Sequence, residues 1–377
     1  MSNEGQSRSV LSWQNCWILA VSYPMMIAFF FFGKTWDIGS LSLYAITTVF
    51  TVVFLVMLMS SFAVVRHAER LAHYLGEPYG TLILTLSVVG IEVAVISSVM
   101  VHGTNNPTLA RDTIFAVLMI VLNGVVGLSL LVGGIRHFEQ SYNLRGANAY
   151  LGVLIPLSLL GLVLPRITDS AAGGQLSFML TVYLIISTTL LYVVFLGIQT
   201  TRHRDLFRGK DYVQAEKKGL VAGTVICCVW YGILLLVTMI PIVTLSEPLA
   251  ALVDHALEES HFPAALGGVL VAILVLSAEG ISALKAARSD LLTRSINLSL
   301  GAALSTIGLT IPCVLLISVI FNKPIILGLN WVDSFLLGMT LLVAVVTFGS
   351  GRTGVLQGAV HLLLFATYIV PIFDSAP

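Results

Sequence analysis

Apolar runs of about 20 residues follow one another along almost the whole of this chain, and a helix needs about that length to cross the hydrocarbon of a bilayer. No water reaches backbone N–H and C=O groups there, so each run must close its own hydrogen bonds as an α-helix. Bounded by charge, Gly or Pro, the runs predict helices near 14–33, 40–65, 79–101, 112–135, 147–165, 175–199, 219–244, 263–284, 296–320, 331–349 and 354–373. The expected fold is all-α, a polytopic membrane protein with about 11 transmembrane helices. The clearest polar breaks are 140–148, 200–218 and 246–261. Only 10% of the residues are charged, against about 25% in soluble domains, so a water-soluble fold is excluded. A formal net charge of zero gives no electrostatic case for a nucleic-acid partner.

Lys and Arg are unevenly shared between the two sides of the membrane. Fifteen of the 19 fall on the side of the N-terminal tail, six of them between Arg202 and Lys218; Lys34, Arg111, Arg166 and Lys323 fall on the other. The positive-inside rule then places the N-terminus in the cytoplasm and the C-terminus outside. The first apolar run lacks a basic leader and a cleavage site, and reads as a retained span. Cys16, Cys227, Cys228 and Cys313 lie in apolar spans without zinc-site or disulfide spacing, as packing residues do. The stretch 246–261, with Glu247, Asp254, His255, Glu258, Glu259 and His261, reads as a solvated amphipathic outer loop; cation collection by its potential is the alternative.

Two acids stand apart. Glu92, in LTLSVVGIEVAVISSVM (84–100), and Glu279, in LVAILVLSAEGISALKA (270–286), each sit in the middle of an apolar span, 187 residues apart. A carboxylate at that depth costs roughly 2.5–3.5 kcal/mol on the translocon scale, and such residues face bundle interiors and handle ions or protons. A structural ion pair would need Lys or Arg at matching depth, and no predicted span centre carries one. The two segments align in the same chain direction, yet the deduced topology makes their helices antiparallel. That is an inverted repeat, in which substrate binds at the midplane where the copies meet. The chain accordingly divides into a tail and first helix (1–38), a first five-helix half (39–200), a basic cytoplasmic linker (201–218) and a second five-helix half (219–377). The linker reads as a solvated connection, with attraction to anionic lipid as the alternative.

The next helix supports the duplication. Leu109-Ala110-Arg111 aligns with Leu292-Thr293-Arg294, and Asn123 with Thr306, each in mid-span and followed by small residues. Glu92, Glu279, Asn123 and Thr306 are therefore the expected metal ligands, since carboxylates and neutral oxygens suit a hard cation such as Ca²⁺. For Asn123 and Thr306 an interhelical hydrogen bond is the plainer alternative. Gly90 and Gly280, beside the glutamates, either loosen the helix to free carbonyl ligands or let helices pack closely. His361, in GVLQGAVHLLLFATY, reads as a satisfied core histidine or as a proton relay.

The duplicated glutamate helices, the eleven spans and the closing run FGSGRTGVLQGAVHLLLFATYIVPIF (348–373) resemble the bacterial ChaA-type calcium/proton antiporters of the calcium/cation antiporter superfamily. The resemblance implies inverted repeats, cation export across the inner membrane driven by protons, and Glu92 and Glu279 as the cation- and proton-binding carboxylates. Many superfamily members carry Gly-Asn four and three residues before the glutamate; Val88-Val89 and Val275-Leu276 stand here, so Ca²⁺, Na⁺ and K⁺ all remain open.

A bare carboxylate pair in a dry site is costly, so cations and protons should compete for it, with coupled titration. Alternating exposure then gives exchange. A channel or uniporter is the rival, and would pass cations without a pH gradient. The chain has no intramembrane Asp pair and no HExxH, so an enzyme is not expected, nor any cofactor beyond the transported ions.

Overall fold

The computed structural model describes residues 13–32, 42–76, 79–102, 107–168, 176–202, 224–260, 263 and 265–374. Among them are eleven apolar helices: α1 (Trp13–Phe32), α2 (Leu43–Leu75), α3 (Tyr79–His102), α4 (Leu109–His137), α5 (Leu144–Ile167), α6 (Phe178–Gly197, extended by a π-helical turn, Ile198–Arg202), α7 (Thr224–Ser260), α8 (Ala265–Arg288), α9 (Leu292–Phe321), α10 (Trp331–Thr347) and α11 (Val355–Asp374). Nine of these are long and apolar enough to cross a membrane, and α1 and α10 are shorter apolar helices. The polytopic all-α fold is the expected one. Basic residues 203–218, with Arg8 and Lys34, lie outside the described residues.

Helix starts follow capping chemistry. Asn143, Ser177 and Asn330 accept hydrogen bonds from backbone N–H groups of the first turns of α5, α6 and α10, at 3.2, 3.3 and 2.8 Å. Asn322 ends α9 in the left-handed conformation that Asn tolerates.

Two helices run further than the sequence suggested. α2 continues to Leu75, carrying Arg66 and Arg70 inside the helix, where Arg70 donates to the Tyr231 hydroxyl at 2.9 Å. The stretch 246–260 is no loop: α7 continues through it to Ser260. Leu249, Leu252 and Val253 are buried along its inner face, so burial of one face outweighs the polar composition that suggested a break.

The helices form two compact units that cut across the sequence halves, each taking helices from both. The first (Met1–Thr104, Glu216–Gly267) holds α1, α2, α3 and α7. Within it α2 packs along α7, with Leu71, Tyr231 and Leu234 at the centre of a cluster against which Cys16, Cys227 and Cys228 pack. All four cysteines are free thiols.

The second unit (Asn105–Ala215, Gly268–Pro377) holds α4, α5, α6, α9, α10, α11 and α8 from Gly268. Small residues bring α4 and α11 together: a Cβ on Gly358 would lie 2.6 Å from the Leu131 backbone nitrogen and 2.8 Å from the Gly127 carbonyl oxygen. At one end of this unit three turns interlock. A two-residue antiparallel ladder pairs β1 (Gln140–Ser141) with β2 (Arg352–Thr353). The Gln140 amide donates to the Ala287 carbonyl at 2.9 Å and to Asp290 at 2.8 Å. Tyr142 donates its hydroxyl to the Thr347 carbonyl and accepts from the Gly351 N–H; burial holds this phenol above its ordinary pKa, so it stays a donor.

Candidate cation site

The structure places Glu279 in the second unit, on α8. That helix stays regular past Gly280, and α3 past Gly90, so neither glycine loosens its helix. Both permit close packing instead. A Cβ on Gly280 would meet the Val125 side chain at 3.1 Å, and one on Gly90 would meet the Met239 methyl at 3.2 Å.

Departures from α-helix lie in other spans, α5 at Leu159–Val163 among them, and in both helices that follow the glutamate helices. α4 carries a π-helical segment at Ile120–Val125 and α9 one at Thr306–Thr310. With Arg111 aligned to Arg294, Asn123 and Thr306 fall inside the two segments. Single π turns within α-helices recur at functional sites.

Glu279 is half-buried and lines a small cavity with Val121 and Val125 of α4, Ser299 and Ala302 of α9, and Leu276 and Leu298. Its volume of about 10 Å³ admits about one water-sized particle. Ser299 is 3% exposed, and among the described residues its hydroxyl makes no hydrogen bond. Ser277, two residues before Glu279, instead donates back to the Ile273 carbonyl of its own helix.

Asn123 is not among the cavity-lining residues. Two positions from both Val121 and Val125, it points to the far side of α4, where its amide donates to Thr340 Oγ1 at 2.8 Å. Its carbonyl oxygen meets His361 Nδ1 at 3.1 Å, and His361 Nε2 meets Thr347 Oγ1 at 3.1 Å. All four side chains are buried, Asn123, His361 and Thr340 completely. The structure thus joins Asn123 to His361 and leaves both away from Glu279. Thr306 is buried at the start of the α9 π segment, on the helix face of Ser299, but does not line the cavity. In the other unit Glu92 is 2% exposed on α3, which packs against α2 and α7.

Comparison with known proteins matches the sodium/calcium exchanger protein family over residues 45–201 and 230–373, most of the chain. The chain belongs to that family. This exchanger-family protein is 40% identical over 321 residues to the sodium-potassium/proton antiporter ChaA of Escherichia coli, covering 84% of this chain and 86% of that one. Its fold is similar to that of YfkE, with a TM-score of 0.72 at 19% identity over 94% of this chain and 98% of that one. It is also similar to the H⁺/Ca²⁺ exchanger CAX, with a TM-score of 0.69 at 14% identity over 95% and 87% of the two chains.

Sequence reasoning missed three features of this exchanger-family protein: the cavity hydroxyl of Ser299, the two threonines that hold Asn123 and His361, and the π segments. Comparing the two copies could not reveal Ser299, because its counterpart is Ala116.

Proposed function

We propose that the protein is a secondary active antiporter that exchanges a cytoplasmic cation for protons by alternating access, with Glu92 and Glu279 as the carboxylates for which both compete. The observation that carries this reading is the Glu279 carboxylate in a small cavity whose other lining side chains, apart from one serine, are hydrocarbon. A cation or protons must accompany such a charge for the site to move between faces of the membrane at tolerable cost. Family membership and the duplicated glutamate segment extend the reading to Glu92.

Ca²⁺ is the first choice of cargo, because two carboxylates and neutral oxygens suit a doubly charged hard ion. Na⁺ and K⁺ are the alternatives, and the printed name of the Escherichia coli relative names both. Thr306, on the α9 face shared with Ser299, is retained as a cargo-facing candidate. Asn123 and His361 support the site by holding the α4 π segment in place, while the glutamates carry the protons. The N-terminus is assigned to the cytoplasm and the C-terminus to the periplasm.

The test is purified protein in liposomes loaded with a pH dye and challenged in turn with Ca²⁺, Na⁺ and K⁺. Glu92→Gln and Glu279→Gln are each expected to abolish cation-dependent proton movement. Near-normal exchange in either variant would refute the assignment of that residue. Cation flux that persists without proton movement would establish a channel or uniporter instead.

A further inference from the structure

We infer that the Ser299 hydroxyl is a direct ligand of the transported cation, paired with the Glu279 carboxylate across the cavity between α8 and α9. This inference rests on the exchange reading above and assigns its cargo site a second oxygen.

Most hydroxyls described within the spans answer to their own helix. Ser87 donates to the Ile83 carbonyl, Thr188 to Leu184, Thr238 to Leu234 and Ser305 to Ala302. In that way a buried hydroxyl avoids the cost of an unmet hydrogen bond. Ser299 has the same option toward the carbonyl one turn back and does not take it; its oxygen is buried without a partner among the described residues.

Other buried hydroxyls share that state, Ser129 and Ser158 among them, but neither lines the cavity with an acid. What sets Ser299 apart is its place. Among the described residues, only Glu279 and Ser299 of the cavity-lining side chains carry oxygen; the other lining residues are Val, Leu, Ala and Gly.

The size of the cavity sharpens the point. With room for about one water-sized particle, a cation enters with few of its waters and must replace them from the walls. Carboxylate and hydroxyl oxygens are the ligands that Ca²⁺ and Na⁺ accept, whereas a sulfur ligand favours softer ions. Exchanging one wall oxygen for sulfur should therefore shift ion preference, which the loss of a packing contact would not do.

The experiment uses the full-length protein in the liposome assay, with Ser299→Ala, Ser299→Thr and Ser299→Cys beside Ser129→Cys, a buried partnerless serine away from the cavity. Ser299→Ala is expected to raise the cation KM about tenfold while maximal rate stays within about twofold, and Ser299→Thr to restore KM. In Ser299→Cys, Cd²⁺ should block exchange at about tenfold lower concentration than in the unaltered protein, with Ser129→Cys unchanged. An unaltered KM in Ser299→Ala together with ordinary Cd²⁺ sensitivity in Ser299→Cys overturns the inference. If Ser299→Ala does not fold, the Cd²⁺ response of Ser299→Cys decides alone. Loss of exchange in Glu279→Gln beside normal Ser299 variants removes only the serine; normal exchange in Glu279→Gln removes the reading beneath it.

Discussion

The side chain of Asn123 is held by acceptors and donors that complete one another. Its carbonyl oxygen can only accept, so His361 Nδ1 carries the proton that joins them, and Nε2 of the neutral ring accepts from the Thr347 hydroxyl. The Thr340 hydroxyl accepts from the Asn123 amide and points its own proton at Met119 Sδ, 3.6 Å away. Replacing His361 by Leu leaves two buried polar groups short of a partner, at a cost of about 1–3 kcal/mol each. A lower unfolding temperature in detergent is expected, with His361→Gln losing less because its amide supplies both a donor and an acceptor. Protons moved per cation should stay unchanged in whatever His361→Leu protein folds; a changed ratio would make the ring a proton carrier. The importance of His361 was legible in the sequence, since an ionisable group in mid-span is conspicuous. Its partners were not, because threonines in apolar helices are common and most bond back to their own backbone.

Among the helices, close approach depends on absent side chains. Gly358→Ala would drive a methyl into backbone atoms of α4, which cannot give way as a flexible side chain could. Reduced yield of folded protein is expected, measured as the monodisperse fraction on size-exclusion chromatography. Gly152→Ala on α5, where a Cβ meets nothing within 4 Å, should fold normally. Equal yields from both would contradict the tight α4–α11 seam. Helix existence was readable from the apolar runs, with ends within a few residues for most spans. The exceptions share a physical cause. Arg66 and Arg70 in α2, and Glu247 and Asp254 in α7, look like span boundaries, yet a helix continues wherever one face stays buried. The π segment of α9 runs into Pro312, whose missing N–H interrupts the helical ladder but leaves the apolar run unbroken, and that of α4 has no proline beside it.

For the molecule as a whole, the charge count assigns the turn at Ser350 to the cytoplasm and Arg166, at the end of α5, to the outside. Both positions are exposed. In a cysteine-free background, Ser350→Cys should react with a membrane-impermeant maleimide in inverted vesicles and Arg166→Cys in right-side-out vesicles; the reverse pattern overturns the orientation. The turn between α8 and α9 carries a consequence at this scale. It spans only Ser289–Leu291, closed by the Leu291 N–H on the Ala286 carbonyl at 2.9 Å, with Asp290 at a φ of 59° and pinned by Gln140. Glu279 and Ser299 thus stand ten and eight residues along the two arms of one stiff hairpin. On the proposed exchange reading, a gauge built that way would keep its width whichever side it faces, so the same sieve should grade ions by size on the way in and on the way out.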